Sequence, residues 1–335
     1  MKAKIRSSHP HFTPAEDWLL SAATQPTPVA RAAWQRWRTR FRVETAGEPC
    51  QALFAMLYAN VIADLGGPDT SVLKGVYRRT WYGNQLVFAR LKPFLDHLAS
   101  QDVAPILMND AALVAGHYPD IGYRDIRCID ILVRGKDWGR SIAAAGAEGW
   151  QAEPQKSFES PTSLSIMAFA GSEGRTLRVW ANLFAAEPRE DTEDRIWQAA
   201  RCIRVTGRSI LTLGPVEQLL CLSAEAVRLR EPPLFLYADA GLLAQSLSAQ
   251  SDWTRLVWQA QRYEHVLPLR NMLAFLQAKL SIGVPSWVLP ALHKMAISHG
   301  ELLQYYQACD SPSLRLKSTC LRWLSPLRRG HASHT

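Results

Sequence analysis

The segment Arg124-Asp-Ile-Arg-Cys-Ile-Asp-Ile-Leu-Val-Arg134 contains the strongest fold signal in the chain. Its apolar run over 129–133 is typical of a short buried strand, and one acid, Asp130, stands near the start of that run. A helical stretch over 109–116 precedes it. Because residues i and i+2 of a strand point to the same face, Cys128 and Asp130 are expected to share one face of a sheet. The segment therefore predicts an α/β core.

The periodicity of apolar residues changes twice along the 335 residues. Residues 1–101 predict an N-terminal helical lobe, 102–214 an α/β (α+β) core, 215–310 a C-terminal helical lobe, and 311–335 a basic tail. The core is expected to hold a mixed sheet of about four or five strands, with the clearest runs at 103–108, 128–133, 163–170, 176–184, 202–205 and 209–213. Helices are predicted over 13–41, 49–65, 70–101, 109–116, 136–148, 215–229, 233–247, 252–262, 267–280 and 285–308.

The net charge of +8 is unevenly distributed. Residues 1–42 carry +6 and residues 311–335 carry +5, which leaves −3 for the body between them. A slightly acidic body argues against a specific nucleic-acid partner, because phosphate binding needs clustered cations on the folded surface. The basic ends are interpreted as solvated arms, and the tail as a segment that could make peripheral contact with an anionic membrane.

Targeting signals are not evident in the composition. No apolar run approaches the roughly 20 residues that span a bilayer, and residues 1–12 contain no apolar segment of the kind that a secretory signal needs. None of the six cysteines forms a C-x-x-C pair, so free thiols in a reducing compartment are expected. The predicted location is cytoplasmic.

A series of short segments stands in a characteristic order along the chain. These segments are Leu73-Lys-Gly-Val-Tyr-Arg-Arg-Thr-Trp-Tyr-Gly-Asn84, Ile106-Leu-Met-Asn-Asp-Ala-Ala-Leu113, Tyr118, Arg124, Asp130-Ile-Leu-Val133, Gly214-Pro-Val-Glu-Gln-Leu-Leu220 and Tyr237-Ala-Asp-Ala-Gly-Leu-Leu243. No single segment is specific, but their order is, and over about residues 15–295 it resembles the uncharacterised nucleotidyltransferase family of bacterial proteins.

The resemblance implies a nucleotidyltransferase-like mixed-sheet core between helical lobes, with Mg²⁺ and a nucleoside triphosphate as cofactors of an active enzyme. It makes Asp130 the catalytic and metal-binding residue, and it places Asn109, Asp110 and Arg124 at the nucleotide. Simpler structural interpretations stand beside these. Asp130 could cap a turn or pair with Arg124 or Arg127, Arg124 could be a solvated loop charge, and Asp110 could be a helix N-cap.

Departures from the family pattern fall on the residues that the chemistry needs. Cys128 stands where the family has its first metal-binding Asp, and Asn109-Asp110 where it has Lys-Gly. Arg178 lies where an acid of the third strand is expected, and Glu225 where a helical His is expected. Mg²⁺ prefers oxygen ligands, so a thiol is a poor substitute for a carboxylate, and Arg178 would place a cation where a metal should bind.

Three functions remain open from the sequence. The first is a degenerate family member that binds a nucleotide weakly or binds a biosynthetic partner protein. The second is an active Mg²⁺-dependent nucleotidyltransferase acting on a small molecule or peptide, in which Asp110, Asp125 or Glu173 supplies the missing acid. The third is a non-catalytic scaffold with basic arms.

Overall fold

A seven-stranded mixed sheet forms the centre of the computed structural model, which describes residues 12–153, 166–171, 174–184, 190–205, 207–229 and 231–308. The strands are β1 (Ile106–Met108), β2 (Cys128–Leu132), β3 (Gln151–Ala152), β4 (Ile166–Ala170), β5 (Thr176–Trp180), β6 (Arg201–Val205) and β7 (Arg208–Thr212). Their order is β3-β4-β5-β2-β1-β7-β6. Strand β2 pairs antiparallel with β1 and parallel with β5, and β1 pairs parallel with β7.

Helices precede and follow the sheet and also connect its strands. The N-terminal helices are α1 (Pro14–Thr24), α2 (Thr27–Arg38), α3 (Glu48–Gln51), α4 (Phe54–Leu57), α5 (Ala63–Leu65) and α6 (Thr70–Ser100). Those within the core are α7 (Asn109–Gly116), α8 (Trp138–Ala147) and α9 (Glu190–Ala199). The C-terminal helices are α10 (Pro215–Arg228), α11 (Leu234–Ser246), α12 (Gln250–Arg262), α13 (Val266–Leu280), α14 (Val288–Lys294) and α15 (His299–Ala308).

The predicted mixed sheet between helical lobes is confirmed, but the expected number of strands was too small. The two-residue strand β3 extends one edge by pairing with β4, and the hairpin of β6 and β7 extends the other through β1. Neither short edge strands nor the joining of a distant hairpin to the same sheet is visible in local periodicity. Residues 163–165 of one predicted strand, and the tail 311–335, lie outside the described part of the chain.

Helix boundaries depart from prediction where local caps interrupt a continuous apolar pattern. Residues 13–41 divide at Pro26, which cannot donate a backbone hydrogen bond. Residues 285–308 divide after α14, because the Ser298 hydroxyl accepts a hydrogen bond from the Glu301 amide and starts α15 anew. The segment 49–65 is broken into α3, α4, a π-helical turn and α5. Helix α9 was not predicted.

Alternating residues of the central strands face two different cores. Ile129 and Ile131 of β2, with Leu177 and Val179 of β5, pack in a core that includes the second half of α6. The other face of these strands contributes to a larger core with the helical lobes, which contains Trp180. Polar residues at the alternate positions of β2 and β5 therefore lie on the side of the helical lobes.

Candidate functional site

Strand register places Arg178 directly beside Asp130. The two residues are Cα partners in the parallel pairing of β2 with β5, and each belongs to the face that carries Trp180. The same two-residue period puts Cys128 on this face. The sequence-based expectation that Cys128 and Asp130 share a face, with Arg178 on the neighbouring strand, agrees with this geometry.

Four hydrogen bonds occupy the two carboxylate oxygens of Asp130, which is completely buried. Oδ1 accepts from Arg178 Nε at 2.6 Å and from Trp180 Nε1 at 2.8 Å. Oδ2 accepts from Arg178 Nη2 at 2.7 Å and from Asn109 Nδ2 at 3.0 Å. A carboxylate has about four acceptor sites, so Asp130 is saturated by protein donors, and its bidentate partner is Arg178 rather than Arg124 or Arg127.

Asn109 reaches Asp130 from the junction of β1 and α7. Its φ of +52° is in the left-handed region, which asparagine tolerates better than most residues with a Cβ atom. This conformation ends the strand and begins the helix within one residue. Asn109 therefore supports Asp130 through its side-chain amide, while Asp110 follows in the first turn of α7.

Arg124 belongs to a second, separate set of ion pairs. Its Nη2 donates to Asp110 Oδ1 at 2.6 Å, and its Nε donates to Asp239 Oδ2 at 2.8 Å. Tyr118 donates to the other Asp239 oxygen at 2.6 Å, and the Arg124 guanidinium lies 4.0 Å from the centroid of Phe235. Only 2% of the Arg124 side chain is exposed. This network joins the core to α11 of the C-terminal lobe.

Asp110 is not the N-cap of its own helix, so the simpler structural interpretation of this residue is wrong. It lies in the first turn of α7, where its Oδ2 accepts hydrogen bonds from the backbone amides of Arg127 and Cys128. Burial alone would raise the pKa of Asp110, but Arg124, the amide bonds and Arg178 together lower it below its usual value. Asp110 is therefore held as an anion by the loop before β2.

Helix α10 brings Glu225 and Arg228 toward the same face. Burial raises the pKa of Glu225, with Asp130 adding to the effect, while Arg178 and Arg228 oppose it. Burial also raises the pKa of Cys128 to about 11, which keeps this thiol protonated. The protonated thiol is a weak replacement for a metal-binding carboxylate, and burial disfavours the charged form of Glu225 that a magnesium site would need.

The residues around Asp130 do not fit the divalent metal that nucleotidyl transfer requires. A metal ion at Asp130 would have to displace the Arg178 guanidinium from both carboxylate oxygens. Within the described residues, no group of three or more His, Cys, Asp and Glu side chains is arranged to hold a metal ion. Of the proposed rescuing acids, Asp125 pairs with Arg175, Asp110 pairs with Arg124, and Glu173 lies outside the described residues.

A family model described as an uncharacterised nucleotidyltransferase matches residues 51–280. This chain belongs to the uncharacterised nucleotidyltransferase family. The match covers the strands that carry Asp130 and Arg178 and the helices that carry Glu225 and Asp239. No curated protein matches the chain significantly.

Three solved structures, of nucleotidyltransferases and a nucleotidyltransferase-like protein, are similar to this chain at low sequence identity. The antibiotic-resistance factor ANT(2'')-Ia in solution is 13% identical, with a TM-score of 0.40 over 54% of this chain and 94% of that chain. Its crystal structure with adenylyl-2''-tobramycin is 12% identical, with a TM-score of 0.41 over 53% and 99%. An antigenic nucleotidyltransferase-like protein from Paracoccidioides brasiliensis is 12% identical, with a TM-score of 0.33 over 58% and 93%.

The four residues that the sequence singled out divide between the two networks of this family member. Asp130 and Asn109 lie together, and Asp110 and Arg124 form the neighbouring ion pair. Their roles in catalysis, metal binding and nucleotide binding stay predictions. Sequence reasoning did not identify Trp180 as the indole donor to Asp130 or Asp239 as a partner of Arg124. No helix in the described part of the chain is long and apolar enough to cross a membrane.

Proposed function

We propose that this chain is a member of the nucleotidyltransferase family that has lost metal-dependent nucleotidyl transfer. The observation that carries the proposal is the bidentate Arg178–Asp130 pair, with Trp180 and Asn109 filling the remaining acceptor sites of the carboxylate. Metal-dependent phosphoryl transfer relies on ions that bridge the phosphates and neutralise developing charge. A guanidinium bound to the only acid of the β2 site cannot supply that coordination.

Substitutions on both strands support the same conclusion. Cys128 gives β2 a protonated thiol where a metal ligand is expected, and Arg178 gives β5 a cation where an acid is expected. Restoring one acid leaves the other defect in place. The Cys128→Asp variant is therefore expected to remain at background activity, whereas Cys128→Asp combined with Arg178→Asp would place three carboxylates on one face of the neighbouring strands β2 and β5.

Labelled nucleoside triphosphates with Mg²⁺ or Mn²⁺, incubated with protein and small-molecule acceptors, test the proposal. Wild-type protein should transfer label at background rates only. Robust wild-type transfer that Asp130→Ala abolishes would show that the protein is an active enzyme. Mn²⁺ should raise the melting temperature of the double variant and not that of the wild type, because only a folded metal site gains stability from metal binding.

A further inference from the structure

Four arginines surround two aromatic rings on the side of the sheet that faces the C-terminal lobe. The guanidinium carbons of Arg178 and Arg228 lie 5.6 and 5.9 Å from the centroid of the Trp180 ring. Those of Arg124 and Arg127 lie 4.0 and 4.9 Å from the centroid of Phe235. The aromatic faces position these cations without neutralising them.

The four arginines differ in how much of their charge is already neutralised. Arg124 is shared by the buried carboxylate of Asp239 and the largely buried carboxylate of Asp110. Arg178 uses Nε and Nη2 for Asp130, but its Nη1 forms no hydrogen bond to a described residue, and 25% of its side chain is exposed. Arg127 and Arg228 are exposed and form no ion pair with a described residue.

The acids of this region do not neutralise the exposed cations. Asp130 lies beside Arg178 on the neighbouring strand and is completely buried, and Asp110 is bound by Arg124 and backbone amides. Glu225 also interacts with Arg178 and Arg228; burial raises its pKa, the two arginines lower it in part, and its single carboxyl group faces two guanidiniums. The accessible side of the group therefore presents more positive than negative charge.

We propose that Arg178 and Arg228, which lie against the same Trp180 ring, form a metal-independent binding site for a polyphosphate anion. This inference rests on the proposed function, since it assigns the place of the lost metal to Arg178. The Asp130 carboxylate fixes the Arg178 guanidinium in one orientation, with Nη1 left to donate. Guanidinium groups bind phosphate oxygens through charge-assisted hydrogen bonds, and Arg228 supplies further donors from α10.

Mg²⁺ should weaken this binding rather than promote it. The ion coordinates the phosphate oxygens that the guanidiniums would bind, and it neutralises the charge that attracts them. Asp130 is saturated and offers the incoming ion no free carboxylate oxygen. A metal-requiring nucleotide site shows the opposite dependence, because there the ion bridges protein carboxylates and phosphates.

Calorimetric titration of the full chain with inorganic triphosphate and with ATP tests the site, first in EDTA and then with excess Mg²⁺. Both anions should bind in EDTA, and Mg²⁺ should weaken each several-fold. Arg228→Gln should weaken binding roughly tenfold, the loss expected for one charge-assisted hydrogen bond. Arg178→Gln should act similarly if it folds, while the exposed Arg228 variant keeps the test valid if it does not.

Arg175→Gln is the matched control, because Arg175 precedes β5, has 23% of its side chain exposed and already pairs with Asp125. Its effect should stay within about twofold. Three results would overturn the binding site without bearing on the proposed loss of transfer: no binding in EDTA, as large a loss of affinity in Arg175→Gln as in Arg228→Gln, or binding of ATP by a protein that does not bind inorganic triphosphate. Binding that requires Mg²⁺ would also overturn the binding site. Nucleotidyl transfer above background would overturn the proposed function together with the site.

Discussion

Arg124 and Arg178 are both bound to buried carboxylates, but their surroundings differ in charge balance and in access to water. Arg124 is 2% exposed and is bound by two carboxylates, those of Asp110 and Asp239. Arg178 is 25% exposed and is bound by one, that of Asp130. The Arg124 group therefore contains one more carboxylate than guanidinium and is nearly inaccessible to water at Arg124. The Arg178 group contains one carboxylate and one guanidinium, and the guanidinium side chain is partly accessible to water.

This difference in charge and exposure assigns different roles to the two groups. The Arg124 group holds the core and the C-terminal lobe together, whereas the Arg178 guanidinium can still bind a ligand. The Arg124 network connects the loop before β2 with Tyr118 and α11, and its Arg124 and Asp239 side chains are almost completely buried. The Arg178 pair lies within the sheet and keeps a free N–H edge toward the C-terminal lobe. Mutations should therefore affect stability most at Arg124 and ligand binding most around Arg178.

Arg124→Met should produce the largest loss of stability in this comparison. It removes the cation between the buried carboxylate of Asp239 and the largely buried carboxylate of Asp110, and breaking such a pair costs about 3–5 kcal/mol. Denaturant unfolding followed by circular dichroism measures the change. A loss below about 1 kcal/mol would mean that water or another cation replaces Arg124, and that the network does not hold the lobes together.

Arg178→Met should cost less, about 1–3 kcal/mol, since Asp130 keeps its bonds to Trp180 and Asn109. Adding Asp130→Asn should recover most of that loss, because the double variant no longer buries an unpaired charge. Arg175→Met is the control and should cost about 0.2–1 kcal/mol as a partly exposed pair. If the double variant is less stable than Arg178→Met alone, the charge on Asp130 is not what Arg178 compensates.

Sequence patterns predicted the sheet better than its edges. The apolar run after Cys128 and the alternation around Arg178 were enough to place β2 and β5, because buried central strands are defined by local periodicity. The two-residue strand β3 and the polar helix α9 have too few apolar residues for such a pattern. Their positions depend on contacts with elements that are distant in sequence.

The residues of the candidate site were predictable at positions that belong to the family's sequence pattern. Hydrogen-bond partners supplied by another lobe were not predictable. The departures at Cys128 and Arg178 were visible in the sequence, and so was their chemical consequence. The partner of Arg124 was not, since Asp239 lies 115 residues further along the chain. Nothing in the local sequence around Trp180 indicates that its indole N–H bonds to Asp130.

The excess acid in the Arg124 network should make stability depend on pH. Burial raises the pKa of Asp239 to about 6, although Arg124 and Tyr118 lower it in part. The folded state thus binds the Asp239 proton more tightly than the unfolded state. The resulting contribution to the free energy of unfolding is complete below about pH 4 and is lost as the pH rises through 6. The loss should be on the order of 2 kcal/mol.

Unfolding free energies measured from pH 4 to pH 7 for wild type and Asp239→Asn isolate this contribution. The variant cannot titrate at residue 239, so its stability should fall less over this range. Asp110 does not interfere, because its lowered pKa places its own loss of stability below pH 4. Equal slopes for the two proteins would show that Asp239 has no raised pKa and that both acids remain ionised around Arg124.

Tyr118→Phe should give the smallest effect and the most specific one. The Tyr118 hydroxyl donates to Asp239 at 2.6 Å and helps to lower its pKa, so its removal should cost about 1 kcal/mol and raise the pKa of Asp239 further. The midpoint of the pH-dependent loss should then move upward. Tyr123→Phe is the control, because that ring lies 6.0 Å from Tyr118 and, of these two tyrosines, Tyr118 is the one that donates to Asp239. An upward shift in Tyr118→Phe alone would assign the pH dependence to the Arg124 network, whereas identical shifts in both variants would assign it to the aromatic packing around Tyr118.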